Sequence, residues 1–344
     1  MLSNTDGKFA RLLRTLVAGC AVFVLIAACG NGNGDSEMDN VTLVLDWTPN
    51  TNHTGFYVAY QRGYFAEEGI SLTIIQPPED GAVPLVAAGH AQFGVSFQEE
   101  VLLAVNSPHA PLPIVTIATL VEHNTSGILS LAEHGITRFR DLEGRTFGTW
   151  GIPMFDEIVR ESVALDGGNP DLVQFVPNMA LDSITGIQRD FDAVWVFEGW
   201  DRVMAEQMGL DVNYFAFRDI SPVFDYFTPV LITRYIDRYA DERAAREQAA
   251  LTERFMRASQ RGYTFARDNP RAAAEILHSF VPEMDVELLV ASQEFLSAAY
   301  FPGGRWGYID QARWVAFFEW MRGHEFIPAD SENLGLRMWQ QSLQ

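Results

Sequence analysis

Short runs of β-branched and aliphatic residues alternate with amphipathic stretches along most of the chain. Runs of this length, bounded by Gly, Pro, Asn and Asp, are typical of β-strands, and the amphipathic stretches between them predict helices. Because strands that alternate with helices form βα units, the pattern predicts an α/β protein with mainly parallel sheets. The predicted strands are 41–45, 71–75, 92–95, 113–119, 127–131, 146–149, 193–197 and 229–233.

The last third of the chain has a helical pattern almost throughout. A region rich in βα units, followed by helices, predicts two α/β lobes joined by two hinge crossings, near 119–127 and 225–232. Lobe 1 is then discontinuous, comprising 41–122 and 230–344, with the C-terminal helices packed on it, and lobe 2 comprises 123–229. The predicted helices include 55–68, 155–165, 242–267, 271–280, 286–299 and 309–321.

The N-terminal residues have the composition of a targeting segment. A basic region with Lys8, Arg11 and Arg14 precedes an apolar stretch, 16–28. This stretch is shorter than the about 20 residues that a membrane-spanning helix needs. The small residues directly before Cys29 resemble the bacterial lipobox, in which the cysteine is acylated and becomes the new N-terminus.

We therefore expect residues 1–28 to be a lipoprotein signal peptide and Cys29 to carry a lipid anchor. Residues 29–40, which are polar and rich in Gly and Asn, are predicted to form a flexible tether. The folded protein is then expected outside the cell membrane and held on it by the lipid. An ordinary signal peptide followed by an incidental cysteine is the alternative.

Composition excludes several classes of function. The chain has 24 Lys plus Arg against 45 Asp plus Glu, a net charge of −21, so nucleic acid would be repelled and is excluded as a partner. The only lysine is Lys8, so the folded part cannot provide a Schiff-base or phosphate-loop lysine. Processing at Cys29 also removes Cys20 and leaves no thiol in the folded part. No cofactor is predicted.

The loop after the first predicted strand is rich in groups that recognise heteroaromatic rings. The sequence DWTPNTNHTG places Trp47, Asn50, Asn52 and His53 between a strand and a helix. An indole face stacks on a flat ring, while amide and imidazole edges exchange hydrogen bonds with ring nitrogens and amines. The alternative for Asn50 is that it caps the helix. His53 has no second histidine or carboxylate at metal-ligand spacing beside it, and a metal site is not predicted.

The segment DWTPNTNHTGFYVAYQRGYFAEEGI, residues 46–70, resembles the opening of a family of periplasmic binding proteins for thiamine-pyrimidine precursors. That family also contains taurine, sulfonate and nitrate binders and the eukaryotic pyrimidine synthase. The resemblance continues through AAGHAQFGVSFQEE, EHNTSGI and DYFTPVLIT, and covers most of the chain after residue 40.

This resemblance implies a type II periplasmic-binding-protein fold whose lobes close on a small heteroaromatic ligand. It implies a monomer that delivers the ligand to the permease and ATPase subunits of an ABC importer. The implied ligand is a thiamine pyrimidine precursor of the formylaminopyrimidine or hydroxymethylpyrimidine type, and riboflavin is the alternative.

Because the family contains synthases, an enzymatic function is an alternative, and the sequence can be checked for the catalytic residues that it requires. Their activity uses a pyridoxal phosphate held by a lysine, an active-site histidine and a cysteine-rich iron motif. The positions that align with the lysine and the histidine are Ser96 and Glu100, and the region of the cysteine motif reads YFTPVLIT. The sequence therefore predicts a binding protein and not an enzyme.

Further candidates lie in lobe 2, at the hinge and elsewhere in lobe 1. Glu198, at the end of a predicted strand, could accept from an aminopyrimidine N–H, with Trp195 and Trp200 on either side of it. The alternatives are a core position for Trp195 and a helix-start acid at Glu198. For Trp150, core and cleft wall both remain open. The remaining candidates for ligand contact are Tyr57, Ser96, Glu99, Asn124, Ser126 and Tyr226.

Overall fold

The computed structural model describes residues 38–177, 183–237, 239–302, 304 and 306–333. The predicted signal peptide, Cys29 and most of the predicted tether lie outside the described residues. The tether is predicted to reach residue 40, but the first strand already begins at Asp39, because this segment pairs with the strand that begins at Ile70. None of the helices in the described ranges is long and apolar enough to cross a membrane.

The described residues fold around two five-stranded sheets that share one strand arrangement. The strands are β1 (Asp39–Val44), β2 (Ile70–Ile75), β3 (Phe93–Ser96), β4 (Ile114–Thr119), β5 (Ser126–Leu131), β6 (Thr146–Thr149), β7 (Gln174–Pro177), β8 (Ala193–Phe197), β9 (Val212–Ala216) and β10 (Val230–Arg234). The first sheet has the order β2-β1-β3-β10-β4 and forms lobe 1; the second has the order β7-β6-β8-β5-β9 and forms lobe 2.

The prediction of mainly parallel sheets agrees with the strand directions, since four of the five strands in each described sheet run the same way and one runs against them. In each sheet of the described structure, two strand pairings are parallel and two are antiparallel. The antiparallel strands are β5 and β10. Each enters its sheet directly from a hinge crossing and not through a βα crossover, so its direction is reversed relative to its neighbours.

The helices are α1 (Thr54–Gln61), α2 (Tyr64–Glu67), α3 (Val83–Ala88), α4 (Gln98–Val105), α5 (Pro153–Leu165), α6 (Ser183–Arg189), α7 (Val203–Gln207), α8 (Phe217–Ile220), α9 (Glu242–Asp268), α10 (Pro270–His278), α11 (Val286–Ala299) and α12 (Gln311–Gly323). Three of the C-terminal helices begin after an aspartate whose carboxylate accepts a backbone N–H of the first turn: Asp241, Asp285 and Asp310. These caps account for the close agreement between predicted and observed helix starts.

The core of lobe 1 includes a close contact between α1 and α9. A Cβ atom on Gly262 would lie 1.9 Å from the carbonyl oxygen of Gly55, so only glycine allows the two helices to approach this closely. Around this contact, Phe56 packs against Phe255 and Tyr263, with ring centroids 6.1 and 5.2 Å apart. The contact fixes α1, and therefore the loop that precedes it.

The C-terminal helices pack on lobe 1, as predicted, and two of them also form hydrogen bonds to lobe 2. In α11, the hydroxyl of Ser292 lies 2.5 Å from that of Thr51 in lobe 1 and donates to the carbonyl of Gly199 in lobe 2. In α12, the indole N–H of Trp320 donates to Glu161 of lobe 2 at 2.6 Å. Through these hydrogen bonds, α11 and α12 each connect the two lobes.

Candidate ligand-binding site

The candidate site lies at the carboxyl ends of four strands, β1 and β3 in lobe 1 and β6 and β8 in lobe 2. Ligands of open α/β sheets bind at such strand ends. The hydrogen bonds of Ser292 connect the loop after β1 with the loop after β8, so these two loops approach each other from opposite lobes.

The loop after β1 is held by a buried histidine. Residues Thr51–His53 form a 3₁₀ turn capped by Asn50, whose side-chain oxygen accepts the N–H of Asn52 at 2.9 Å. The Nδ1 atom of His53 accepts the backbone N–H of Asn50 at 3.2 Å, and Nε2 lies 2.5 Å from Oδ1 of Asp46. Because Nδ1 accepts, the ring proton is on Nε2, which donates to the Asp46 carboxylate.

These bonds bear on two predicted ligand contacts. His53 is fully buried, and both of its ring nitrogens bind the protein in this conformation. Asn50 has the capping role that was its alternative, since its side-chain oxygen accepts the N–H of Asn52, and its amide donates to the carbonyl of Thr48. The role of Asp46 as the partner of His53 was not predicted, although it opens the same motif.

The other predicted residues of this region divide between the surface and the core. The side chain of Trp47 is 68% exposed, and Asn52 is partly exposed, with its carbonyl accepting the Tyr263 hydroxyl at 2.7 Å. Tyr57 is buried against Phe280, with ring centroids 4.9 Å apart, and burial raises the pKa of its phenol to about 12. Trp47 is therefore the side chain of this loop that is most available for stacking.

Carboxyl groups line the end of β3. The hydroxyl of Ser96 donates to Glu100 at 2.7 Å. Glu99 is buried, and its Oε2 atom has no hydrogen-bond partner among the described residues. Burial raises the pKa of Glu99 to about 8, so this carboxyl is mainly protonated at neutral pH. Desolvation and the charge of Asp46 also raise the pKa of Glu100.

Tyr226 lies in the core beside this group. Its ring stacks on Phe317 of α12 with centroids 4.0 Å apart. Burial and the nearby carboxyl of Glu99 raise the pKa of the Tyr226 phenol well above its ordinary value. In this conformation Tyr226 is a core residue that lies near Glu99.

Asn124 joins the two hinge crossings. Its amide donates to the carbonyl of Phe224 at 2.8 Å, its side-chain oxygen accepts the N–H of Ser126 at 2.8 Å, and its backbone N–H donates to Asp225 at 2.8 Å. In this conformation Asn124 therefore binds the hinge, through its side chain and its backbone N–H. The hydroxyl of Ser126 is buried and has no partner in the part of the chain that the structure describes.

In lobe 2, the predicted indoles are mostly covered. Trp195 lies in an aromatic cluster 4.0 Å from Phe217, and its indole N–H has no partner within the described ranges. Trp200 is partly buried against the aromatic core of lobe 1 and its C-terminal helices. Glu198 is bonded to Arg202 at 2.5 Å; burial raises the pKa of Glu198, and the Arg202 charge opposes the rise. Arg202 was not predicted, and its spacing of four residues on a helical turn is the signal that could have indicated it.

Near the strand ends of the two lobes the structure thus has one exposed indole, Trp47, and three residues with a buried polar side-chain atom that lacks a partner among the described residues: Glu99, Ser126 and Trp195. Buried polar atoms of native proteins are nearly always hydrogen-bonded, so these three atoms are candidates for contact with a polar ligand. Among the described residues, no group of three His, Cys, Asp or Glu side chains is placed to hold a metal ion.

Two lobes with this strand order and two crossings are the type II periplasmic-binding-protein fold. The aliphatic sulphonate binding protein SsuA of Escherichia coli has the same fold, with a TM-score of 0.61 and 12% identity, over 84% of this chain and 88% of that chain. The predicted fold class is therefore confirmed.

The sequence model described as NMT1/THI5 like matches residues 50–273, and the chain belongs to this family. The chain is 28% identical to the formylaminopyrimidine-binding protein of Halalkalibacterium halodurans, over 88% of this chain and 92% of the relative. It is 25% identical to the 4-amino-5-hydroxymethyl-2-methylpyrimidine phosphate synthase of Legionella pneumophila, over 74% of this chain and 77% of that enzyme. The family thus includes both binding proteins and synthases.

Proposed function

We propose that this protein is the solute-binding lipoprotein of an ABC importer and captures a thiamine pyrimidine precursor between its lobes. The observation that carries the proposal is the exposed indole of Trp47, which follows Asp46 in the chain, together with the carboxyl group of Asp46, whose charge acts on Glu100, and the buried carboxyl group of Glu99. The relative from Halalkalibacterium halodurans, named for formylaminopyrimidine binding, supports this ligand class.

The charges of the site favour a neutral ring that is rich in donors. An aminopyrimidine presents amino groups to carboxylate oxygens and ring nitrogens to an O–H donor such as protonated Glu99. A sulfonate or nitrate would instead require arginine or a helix N-terminus free of carboxylates. The loops 46–55, 124–127 and 198–201 contain no arginine, and Arg202, which follows the last of them, is already paired with Glu198 and Glu206. The first turn of α4 contains Glu99 and Glu100.

The same residues support binding without catalysis. Ser96, at the position of the synthase lysine, is buried and bonded to Glu100. Because Lys8 is the only lysine, the folded part has no amine for a pyridoxal Schiff base. The proposed partners are a permease and an ATPase, and the protein acts as a monomer whose lobes close on a ligand that contacts both of them.

Calorimetry with four ligands tests the proposed function. We expect formylaminopyrimidine or hydroxymethylpyrimidine to bind, and taurine not to bind. Replacing Trp47 with alanine should weaken binding by about 1–3 kcal/mol, the value of one aromatic stacking contact. Tyr239→Ala, which removes an aromatic side chain that is 84% exposed, is the control and should bind as the wild type does.

Each other result of this titration has a defined meaning. Binding of riboflavin with neither pyrimidine would move the assignment to the riboflavin alternative. Binding of taurine would contradict the argument from charge. Equal affinity of Trp47→Ala and the wild type would remove the stacking contact from the proposal.

The lipid anchor is tested by fractionation of cells. Cys29 lies outside the described residues, so the expectation rests on the lipobox-like sequence before it. Cys29→Ser should move the protein from the membrane to the soluble fraction, because the acyl chains provide the attachment. Cys20→Ser changes a residue of the removed segment and should leave the protein on the membrane. A Cys29→Ser protein that stays on the membrane with an intact mature N-terminus would refute the anchor.

A further inference from the structure

We infer that Trp150 is the second aromatic face of the ligand site, so that the closed lobes hold a heteroaromatic ring between Trp47 and Trp150. The inference rests on the proposed function and names a specificity residue in lobe 2.

The first observation is topological. The strands β1 and β6 have the same place in their sheets, each between two parallel neighbours. Trp47 lies in the loop between β1 and the helical segment that follows it, and Trp150 lies in the loop between β6 and α5. The two indoles therefore occupy equivalent positions at the ligand-binding edges of the two sheets.

The second observation is exposure. Among the tryptophans that the structure describes, Trp47 and Trp150 have the largest exposed fractions, 68% and 39%. Indoles are large apolar groups that usually lie mostly buried, so exposure at a cleft edge indicates a binding surface. Trp195 is buried and Trp200 packs on the core of lobe 1, so neither leaves a ring face as open as Trp150 does.

The third observation is that Trp150 is held in place. Its ring contacts Phe155 and Trp195, with centroids 5.6 and 6.1 Å away. The hydroxyl of Thr149 accepts the N–H of Gly151 at 3.1 Å and donates to Asp156 of α5, which fixes the loop on both sides of the indole. A ring that is ordered before binding loses little entropy when it stacks on a ligand.

The experiment compares four variants of the full chain by calorimetry with formylaminopyrimidine: Trp150→Ala, Trp150→Phe, Trp150→Leu and Ile152→Ala. We expect Trp150→Ala to weaken binding by about 5- to 150-fold, the loss of one stacked aromatic. Phe should restore most of the affinity, because it keeps a ring, and Leu should not, because it keeps only apolar volume. Ile152, 44% exposed in the same loop, is the matched control, and its alanine variant should bind within about twofold of the wild type.

The outcomes separate this inference from the proposed function. If Trp150→Ala and Trp150→Leu both bind the ligand as tightly as the wild type does, the inference is overturned and the proposed function stands. If the wild type binds none of the tested rings, both the inference and the proposed function are refuted. If binding is unchanged but uptake by cells falls in both Trp150→Ala and Ile152→Ala, the exposed loop contacts the permease and the stacking role is refuted. If Trp150→Ala does not fold, the ligand affinity of Trp150→Leu provides the test.

Discussion

Replacing Asp46 with alanine is expected to lower the free energy of unfolding by about 1.5–3 kcal/mol, the value of a hydrogen bond to a charged group. The substitution leaves the Nε2–H of His53 without its acceptor at a site where the imidazole is fully buried. The loop that carries Trp47 loses its attachment at the same time, so ligand affinity should fall together with stability. Urea unfolding and calorimetry measure the two effects.

Asp46→Asn is the matched control for this prediction. Its amide oxygen can still accept the proton of His53, although without a charge, so the loss of stability should be smaller than for alanine. Equal stability of the wild type and Asp46→Ala would show that the bond does not hold the loop.

Replacing Glu99 with glutamine is expected to remove a large part of the pH dependence of stability. Burial raises the pKa of Glu99 in the folded protein to about 8 from an ordinary value of 4.5. Between these values the folded state binds a proton that the unfolded state releases. The free energy of unfolding therefore decreases with rising pH, by up to about 1.4 kcal/mol per pH unit from this group. Below pH 4.5 the contribution is complete, and above pH 8 it is lost.

Urea unfolding at pH 5, 7 and 9 tests this expectation. The stability of Glu99→Gln relative to the wild type should increase through this range and level off above pH 8. The comparison is made as a difference because burial also raises the pKa of Glu198 and desolvation raises that of Glu100. Glu294→Gln changes an exposed glutamate of α11 and should follow the wild type. A difference that is independent of pH would refute the buried, protonated state of Glu99.

Local sequence determined most of the secondary structure of this protein. The predicted bounds of β6, β8 and α11 are those of the structure. Strong hydrophobic periodicity and aspartate caps act within a few residues, so they can be identified without a tertiary structure. Strands β7 and β9 were missed because they lie at the edges of their sheet and are mostly only partly buried, which weakens the pattern.

Strand direction was decided by the tertiary structure. The residues of β5 and β10 have the same character as those of their neighbours, and nothing within five or six residues encodes whether a strand enters its sheet from a helix or from a hinge. Direction follows from the path of the whole chain through two lobes.

The sequence also determined the family and pointed to Trp47, because the motif from Asp46 to Gly55 is local. Tertiary contacts decided which residues of the candidate site are available to a ligand and which support the surrounding loops. The same imidazole or indole can bind a ligand or support a loop, and the choice depends on neighbours distant in sequence. His53 is buried and bonded to Asp46, Trp195 is buried against Phe217, and Trp150 remains 39% exposed. Burial is a property of the folded surface, which no short motif contains.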